Sequence, residues 1–203
     1  MQFADFVALN IHDLKNRLAM VAARAERHGD GETVRDILAV AGALASLLAC
    51  YKAEAGQLSA VEEACSPAYL LDELTADSRK LAQPHLRVET ADAPASWYYD
   101  EELVRMVLAN ALQNALRYAR ETVVVSAVQD GEWLELRVHD DGPGYPDGVR
   151  LAPEAAAPVS RDGSGVGLYL ARTVAALHRN KGLAGEVRLE NDHGALFRLR
   201  LPQ

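Results

Sequence analysis

Residues 101–146 read EELVRMVLANALQNALRYARETVVVSAVQDGEWLELRVHDDGPGYP, and this stretch decides the fold. Its beginning is apolar on almost every side, which predicts a buried helix ending near residue 119. β-Branched or alternating runs at residues 122–128 and 133–139 predict two strands, and the Asp-Gly pair between them predicts a tight hairpin turn. A buried helix beside an antiparallel hairpin predicts a helix layer packed on a sheet, which is the α+β class.

The segments on either side extend this pattern over residues 58–203. Further helices are predicted at 68–82 and 166–177, and further strands at 86–90, 186–190 and 195–201. The pattern changes near residues 56–67, where we place the domain boundary. We therefore expect an α/β-sandwich domain with a mixed, mostly antiparallel sheet.

Residues 1–57 carry apolar residues at alternating steps of three and four, which predicts two helices with heptad seams. The seam residues are Val7, Ile11, Leu14, Leu18, Val21 and Ala25 in the first helix, and Val34, Ile37, Ala41, Leu44, Leu48, Tyr51 and Ala55 in the second. Gly29 and Gly31 are stop signals, and Thr33 is the expected N-cap of the second helix. An antiparallel hairpin covers only one side of each seam, so we expect two hairpins to form a four-helix bundle in a homodimer. The alternative is a hairpin that packs on its own C-terminal domain.

The composition is that of a soluble globular protein, with 49% hydrophobic and 25% charged residues among 203. A formal net charge of −8 without a basic stripe argues against nucleic-acid binding. Cys50 and Cys65 are too few for a disulfide framework or a four-ligand zinc site, so we expect a cytoplasmic protein. The longest uncharged run, residues 37–51, is shorter than the ~20 residues of a membrane span. We therefore expect a buried helix there and no membrane insertion.

Three polar residues interrupt the apolar helix and share one of its faces: Asn110, Asn114 and Arg117. Buried without a partner, each would cost ~1–3 kcal/mol. Amide oxygens suit a hard cation and a guanidinium suits phosphate, so this face is a candidate site for a metal and a polyanion. The alternative is that these residues cap the edge of the sheet.

Two glycine-rich segments follow in the sequence. In HDDGPGYP, residues 139–146, Asp140 ends a strand and can accept a hydrogen bond from an exocyclic amine, although an ordinary turn has the same pattern. Gly142 and Gly144 let the backbone turn sharply and pass close to a ligand. In DGSGVGLYLAR, residues 162–172, glycines alternate just before a helix, where exposed N–H groups form a site for phosphates. A dinucleotide site would need an early βαβ unit, which this order of elements excludes.

Together and in this order, the three motifs resemble the N-box and the two glycine boxes of the Bergerat-type ATP-binding fold of histidine kinases, gyrase and related ATPases. NALQNALRYA is similar to the N-box, DDGPG to the first glycine box, GSGVGL to the second, and GALFRLRLP to the closing strand of the kinase branch. The resemblance implies that Asp140 binds the adenine amine of ATP, that Asn110 and Asn114 hold Mg²⁺, and that residues 163–168 line the triphosphate. The implied nucleotide-binding residues are Asn110, Asn114, Arg117, Tyr118, Asp140, Gly142, Gly144, Gly163, Ser164, Gly165, Val166, Gly167 and Leu168.

HDLKNRL, residues 12–18, is similar to the H-box of the phosphoacceptor hairpin of histidine kinases. The resemblance implies that His12 is the phosphorylated nucleophile, that Asp13 is its base, and that Asn16, one helical turn away, is also a catalytic residue. It also implies a sensor histidine kinase that passes the phosphoryl group to an aspartate of a response-regulator receiver domain and acts as its phosphatase. The alternatives are a histidine phosphotransfer adaptor with a non-catalytic ATP-like domain, and a serine kinase of the anti-sigma type.

The sequence departs from the family pattern at three places. Arg17 stands where the family usually has proline, which predicts that the usual helix kink is absent. The segment 146–163 is short, which leaves Arg150 and Arg161 as candidates for contacting the γ-phosphate. HRNKGLAG replaces the usual His-Gly-Gly ending of the last helix. Because no sensor domain precedes the hairpin, we expect a fragment or a chain that receives its signal from a separate sensor protein.

Overall fold

The computed structural model describes residues 3–76, 78, 84–150 and 165–203, with the backbone alone at residues 3–12, 15, 32 and 35. The chain divides into two compact units, Met1–Leu58 and Ser59–Gln203. The predicted boundary between residues 57 and 58 lies next to this division.

The first unit is a helical hairpin of α1 (Phe3–Arg27) and α2 (Gly31–Glu54). Gly29 ends α1 in the left-handed region, with φ +73°. The expectation that Thr33 is the N-cap of α2 is wrong, because Asp30 takes this position. The Asp30 carboxylate accepts from Thr33 N at 3.0 Å and from Thr33 Oγ1 at 2.6 Å. The short carboxylate side chain reaches the free N–H groups of the first turn, and Thr33 completes the cap from inside the helix.

The hairpin buries small residues and leaves the described residues of its heptad seams half-buried or exposed. Its buried side chains among the described residues are Ala22, Ser46, Ala49 and Cys50. By contrast, Leu14 and Val21 of the α1 seam are 44% and 51% exposed. By length and composition the stretch Asp36–Glu54 is apolar enough to cross a membrane, a property shared by core helices, and 17% of it is buried in the chain. The burial expected for this helix is therefore not provided by its own hairpin.

The second unit alternates helices with short and long strands. Its elements are β1 (Glu63–Cys65), α3 (Pro67–Thr75), β2 (His85–Glu89), β3 (Trp97–Tyr99), α4 (Glu101–Tyr118), β4 (Thr122–Asp130), β5 (Trp133–Asp140), α5 (Asp147–Arg150), α6 (Val166–Leu177), β6 (Arg179–Asn180), β7 (Leu183–Ala184), β8 (Glu186–Asn191) and β9 (Ala195–Pro202).

The main sheet has the strand order β2-β4-β5-β9-β8, and only the β2–β4 pair in it is parallel. Alternate residues of β4 are buried, as expected for a strand with one face against a helix layer. The helices α3, α4 and α6 supply that layer, and Leu108 and Leu170 are fully buried in it. The predicted α+β sandwich with a mixed, mostly antiparallel sheet is confirmed.

The differences from the predicted elements concern short segments. The helix predicted over residues 68–82 ends at Thr75, whose hydroxyl donates back to the Leu71 carbonyl at 2.6 Å, and residues 77 and 79–83 lie outside the described ranges of the chain. The strands β1, β3, β6 and β7 were not predicted, because two or three residues are too few to show an alternating pattern. HRNKGLAG forms the β6–β7 hairpin, which turns at Lys181 and Gly182 with positive φ angles.

Candidate functional site

Helix α4 places the polar stripe at the rim of the helix layer. Asp100 caps the helix, and its Oδ1 accepts from Leu103 N at 3.0 Å. Asn110 is half-buried, whereas Asn114 and Arg117 are exposed. The expectation that all three are buried is therefore wrong, because the stripe points away from the sheet. The Asn114 amide donates to Asn110 Oδ1 at 3.4 Å, so the two side chains lie together as the spacing predicts.

The N-terminus of α6 meets α4 at Asn110. A Cβ atom at Gly167 would overlap the Asn110 amide, so these two residues are in close contact. Gly165 is the N-cap of α6 and lies in the left-handed region with φ +68°, and its own lack of a side chain means that it cannot cap the helix. The first turn, which contains Val166 and Leu168, therefore points N–H groups beside the polar stripe. Gly163 and Ser164 lie outside the described residues.

Asp140 is the last residue of β5 and is only 6% exposed. Its Oδ1 accepts from Gly142 N at 2.8 Å and from Ala195 N at 3.4 Å. Burial raises the pKa of the carboxyl, and the two backbone N–H groups only partly oppose this effect. Both of these hydrogen bonds end on Oδ1, so among the described contacts Oδ2 is the oxygen left to accept from a ligand.

The protein itself explains why residues 142 and 144 are glycines. A Cβ atom at Gly142 would lie 2.5 Å from the Tyr118 carbonyl oxygen. Gly144 has φ +80°, and a Cβ atom there would lie 2.9 Å from the Asn191 side chain. The sharp turn is as predicted, while the close approach involves the end of α4 and the end of β8.

Asp141 is a structural residue of the site that the sequence analysis missed. Its carboxylate accepts from Arg120 N at 2.8 Å and from Glu121 N and Thr122 N at 3.1 Å. Desolvation works to raise the pKa of Asp141, but the amides of Glu121, Thr122 and Arg120 outweigh it and lower this pKa. The carboxylate thus joins the loop after α4 to the glycine turn. No local signal predicts this contact, because its partners are about 20 residues away in the sequence.

The remaining candidates of the second unit are Arg117, Tyr118, Arg150 and Arg161. The Arg117 guanidinium lies 5.3 Å from the centre of the Tyr118 ring, and both side chains are exposed. Arg150 pairs with Asp147 at 2.9 Å within α5. Arg161 lies outside the described residues.

In the first unit, His12, Asp13 and Asn16 lie on α1, which continues from Phe3 to Arg27 without a break at Arg17. The side chain of His12 is outside the described portion of the chain. The Asp13 carboxylate pairs with Arg17 Nε at 3.7 Å, and both side chains are 71% exposed. The residue that replaces the usual proline is thus a partner of the expected base.

Known proteins match both units. Residues 99–203, from the end of β3 to the C-terminus, match the family described as histidine kinase-, DNA gyrase B-, and HSP90-like ATPase. Signal transduction histidine-protein kinase AfsQ2 of Streptomyces coelicolor is 36% identical over 51% of this chain and 20% of its own length. Sensor-type histidine kinase PrrB of Mycobacterium tuberculosis is 28% identical over 98% of this chain and 47% of its own length.

A solved structure has the same fold. Acinetobacter baumannii histidine kinase AdeS superposes with a TM-score of 0.62 at 18% identity, covering 93% of this chain and 94% of the solved one. This chain spans less than half the length of the two curated relatives. It belongs to the histidine kinase-, DNA gyrase B-, and HSP90-like ATPase family, within which these relatives are histidine kinases.

Proposed function

We propose that this protein is an ATP-dependent protein-histidine kinase that phosphorylates its own His12. The observation that carries the proposal is the meeting of the three motifs at one edge of the second unit, where Gly167 touches Asn110 and Gly142 touches the end of α4. An acceptor for a base and donors for phosphate are thus placed beside the same helix. The family match over residues 99–203 supports ATP as the ligand.

The described residues fit ATP in two respects. Oδ2 of Asp140 accepts the adenine amine, because both hydrogen bonds from the protein end on the other oxygen. The N-terminus of α6 receives the phosphates, since the N–H groups of its first turn and the positive end of its dipole favour an anion. Gly163 and Ser164 extend this phosphate site in the proposal, with Arg117 and Tyr118 at its rim.

Asn110 and Asn114 would hold Mg²⁺ through their amide oxygens. In the described ranges, His, Cys, Asp and Glu side chains do not gather in groups of three or more. The remaining ligands would therefore be phosphate oxygens and water, which is how proteins usually bind this cation. When bound, Mg²⁺ neutralises charge on the β- and γ-phosphates.

The phosphoryl transfer that we propose uses residues of both units. A ring nitrogen of His12 forms a bond to the γ-phosphorus, and the bond to the bridging oxygen breaks, so that ADP leaves. Asp13 holds the proton on the other ring nitrogen and orients the ring. The phosphoryl group then passes to an aspartate of a response-regulator receiver domain, and Asn16 orients water when that aspartyl phosphate is hydrolysed.

We also propose that the hairpin forms a four-helix bundle in a homodimer. The exposed seam residues Leu14 and Val21, and the low burial of α2, support a partner face. Insertion of the hairpin into a membrane would carry along α1, which has seven charged side chains. A cytoplasmic location and no nucleic-acid partner complete the proposal. Two cysteines, Cys50 and Cys65, are too few for a disulfide framework, which suits a reducing compartment.

Incubation of the full chain with γ-labelled ATP and Mg²⁺ tests the proposal. We expect acid-labile, base-stable label on the protein, which His12→Gln removes. His28→Gln is the matched control, because His28 is an exposed histidine at the end of the same helix. No label on the wild-type chain would favour the phosphotransfer adaptor, and acid-stable label on a partner would favour the serine kinase.

A further inference from the structure

Asn191, the last residue of β8, forms a reciprocal pair with the backbone of Tyr145. Its Oδ1 accepts from Tyr145 N at 2.8 Å, and its Nδ2 donates to Tyr145 O at 3.0 Å. The planar side-chain amide therefore imitates a neighbouring strand and fixes both polar groups of one peptide segment. Tyr145 directly follows Gly144, so the pair holds the end of the first glycine turn.

The turn between β8 and β9 also holds the beginning of that loop. Ala195 N donates to Asp140 Oδ1 at 3.4 Å, and His139 Nε2 lies 2.7 Å from the Asp192 carbonyl oxygen. A side chain at Gly194 would overlap the Asp140 carbonyl oxygen. The segment 191–195 therefore contacts both ends of the loop that runs from Asp140 to Tyr145.

The Asn191 side chain also packs closely against Gly144. A Cβ atom at Gly144 would lie 2.9 Å from Asn191 Cγ, so the amide occupies the space behind the turn. The Tyr145 side chain is half-buried near Asp140, and desolvation together with the charge of Asp140 raises the pKa of its phenol. Loss of the amide would release the loop that carries the acceptor of the base.

We propose that Asn191 is a positioning residue for the nucleotide: it fixes the Asp140–Tyr145 loop from behind and thereby sets adenine affinity without touching the ligand. The inference rests on the proposed ATP site. Because the loop serves the adenine side, the effect falls equally on ADP and on a non-hydrolysable ATP analogue.

Calorimetric titration of the full chain with ADP and with that analogue, in the presence of Mg²⁺, tests the inference. For Asn191→Ala we expect a dissociation constant about tenfold higher for both nucleotides, as two aligning hydrogen bonds are lost. The stoichiometry stays that of the wild type, because the loop loosens in every molecule. Asp192→Ala is the matched control in the same turn, since its side chain is exposed and His139 contacts only its backbone. We expect this control to bind like the wild type.

The other outcomes distinguish failure of the role proposed for Asn191 from failure of the proposed ATP site. If the wild type binds and Asn191→Ala has the same dissociation constant, the role of Asn191 is overturned, even where the variant melts at a lower temperature. A lower stoichiometry at an unchanged dissociation constant does the same, because it reports a misfolded fraction. Weaker binding of the ATP analogue alone, with unchanged binding of ADP, also contradicts the inference, because the effect would then lie at the phosphates and not at the adenine. Absence of binding by the wild-type chain overturns the ATP site itself, and this inference with it.

Discussion

Gly167 and Asn110 touch where the N-terminus of α6 meets the middle of α4, and a side chain at residue 167 would overlap the Asn110 amide. The contact joins two motifs that are about 50 residues apart in the sequence. It also explains why residue 167, the third glycine of GSGVGL, is a glycine. Its φ lies outside the left-handed region that favours glycine, so the reason is packing and not backbone conformation. The distance between the proposed phosphate site and the amide pair thus depends on the absence of a side chain at residue 167.

Gly167→Ala should therefore weaken ATP binding by tenfold or more. The added methyl group pushes Asn110 or the first turn of α6 out of place, and overpacking of this kind typically costs ~1–3 kcal/mol. Calorimetric titration with ATP and Mg²⁺ measures the effect. Gly148→Ala is the matched control, because no atom lies within 4 Å of a Cβ there and its φ is ordinary. Equal affinity of both variants would show that the contact is irrelevant to binding.

Asp140→Asn should lower nucleotide affinity and raise the stability of the nucleotide-free protein. The asparagine Oδ1 still accepts from Gly142 N, but an NH₂ group now faces the adenine amine. We expect ATP affinity to fall by about 1.5–3 kcal/mol, the range for a hydrogen bond to a charged group. The nucleotide-free variant should melt at a higher temperature than the wild type, because a buried charge is removed. Differential scanning calorimetry with and without ATP measures both effects.

The difference in stability between Asp140→Asn and the wild type should change with pH in a definite direction. Burial raises the pKa of Asp140, so the folded state holds the proton more tightly than the unfolded state. The wild type therefore loses stability as pH rises from the ordinary aspartate range through the raised pKa, whereas Asp140→Asn does not. ATP affinity of the wild type should fall as pH drops through the same raised pKa. Parallel melting curves across pH that never diverge would contradict the assignment.

The sequence predicted the second unit well because its long elements carry strong periodic signals. The apolar run of α4, the alternating residues of β4 and β5, and the Asp130-Gly131 turn each reflect contacts between near neighbours in the chain. The order of three motifs then indicated which edge of the sheet carries the site. The strand end at Asp140 was predictable for the same reason.

The missed features depend on contacts between residues that are distant in the sequence. Asp141 accepts from amides about 20 residues away, and Asn191 binds Tyr145 across 46 residues. The exposure of Asn114 was also missed, because periodicity identifies a shared face but not how deeply that face is buried. In the hairpin, the buried residues Ser46 and Ala49 do not belong to the predicted seam. A heptad repeat identifies an apolar face but not the neighbour that covers this face.

His178→Ala should destabilise the second unit without changing any residue proposed to bind nucleotide. The ring is 2% exposed, its Nε2 accepts from Asp100 N at 3.0 Å, and its Nδ1 lies 2.8 Å from Val174 O. Truncation leaves a cavity and an unsatisfied N–H group, with an expected cost of ~2–4 kcal/mol. Urea unfolding measures it, and the exposed His85→Ala, expected to stay within ~0.5 kcal/mol, is the control. A cost below ~1 kcal/mol would contradict this account.

Leu44→Asp should dissociate the proposed dimer of the full chain. Leu44 is a half-exposed seam residue of α2, so the hairpin itself tolerates the change, whereas a bundle core would contain an unpaired charge. Sedimentation should show a dimeric wild type and a monomeric variant, both still helical. Ala43→Asp places the same charge on a neighbouring exposed position and should remain dimeric. The fragment 1–57 should also dimerise, and a helical but monomeric fragment would count against the bundle.

Asp13 and Asn16 should affect different reactions of the proposed kinase. Asp13 neighbours the proposed nucleophile, so Asp13→Ala should slow autophosphorylation by ~10²-fold, the scale of general-base assistance. Asn16 lies one helical turn beyond His12, where its amide can orient water for a docked aspartyl phosphate. Asn16→Ala should keep autophosphorylation and slow receiver dephosphorylation, again by ~10²-fold. Time courses of kinase labelling and of receiver label decay measure the two rates.

Arg17→Ala is the control that distinguishes chemistry from surface charge in this pair of variants. The Asp13–Arg17 ion pair spans 3.7 Å between exposed groups, a geometry that contributes ~0–1 kcal/mol. Loss of this ion pair should leave the autophosphorylation rate within about twofold of the wild-type rate, because water screens the pair and Asp13 stays next to His12. If Arg17→Ala slows labelling as strongly as Asp13→Ala, the ion pair and not the base is required. If Asn16→Ala blocks labelling while Asp13→Ala does not, the two roles are assigned to the wrong residues.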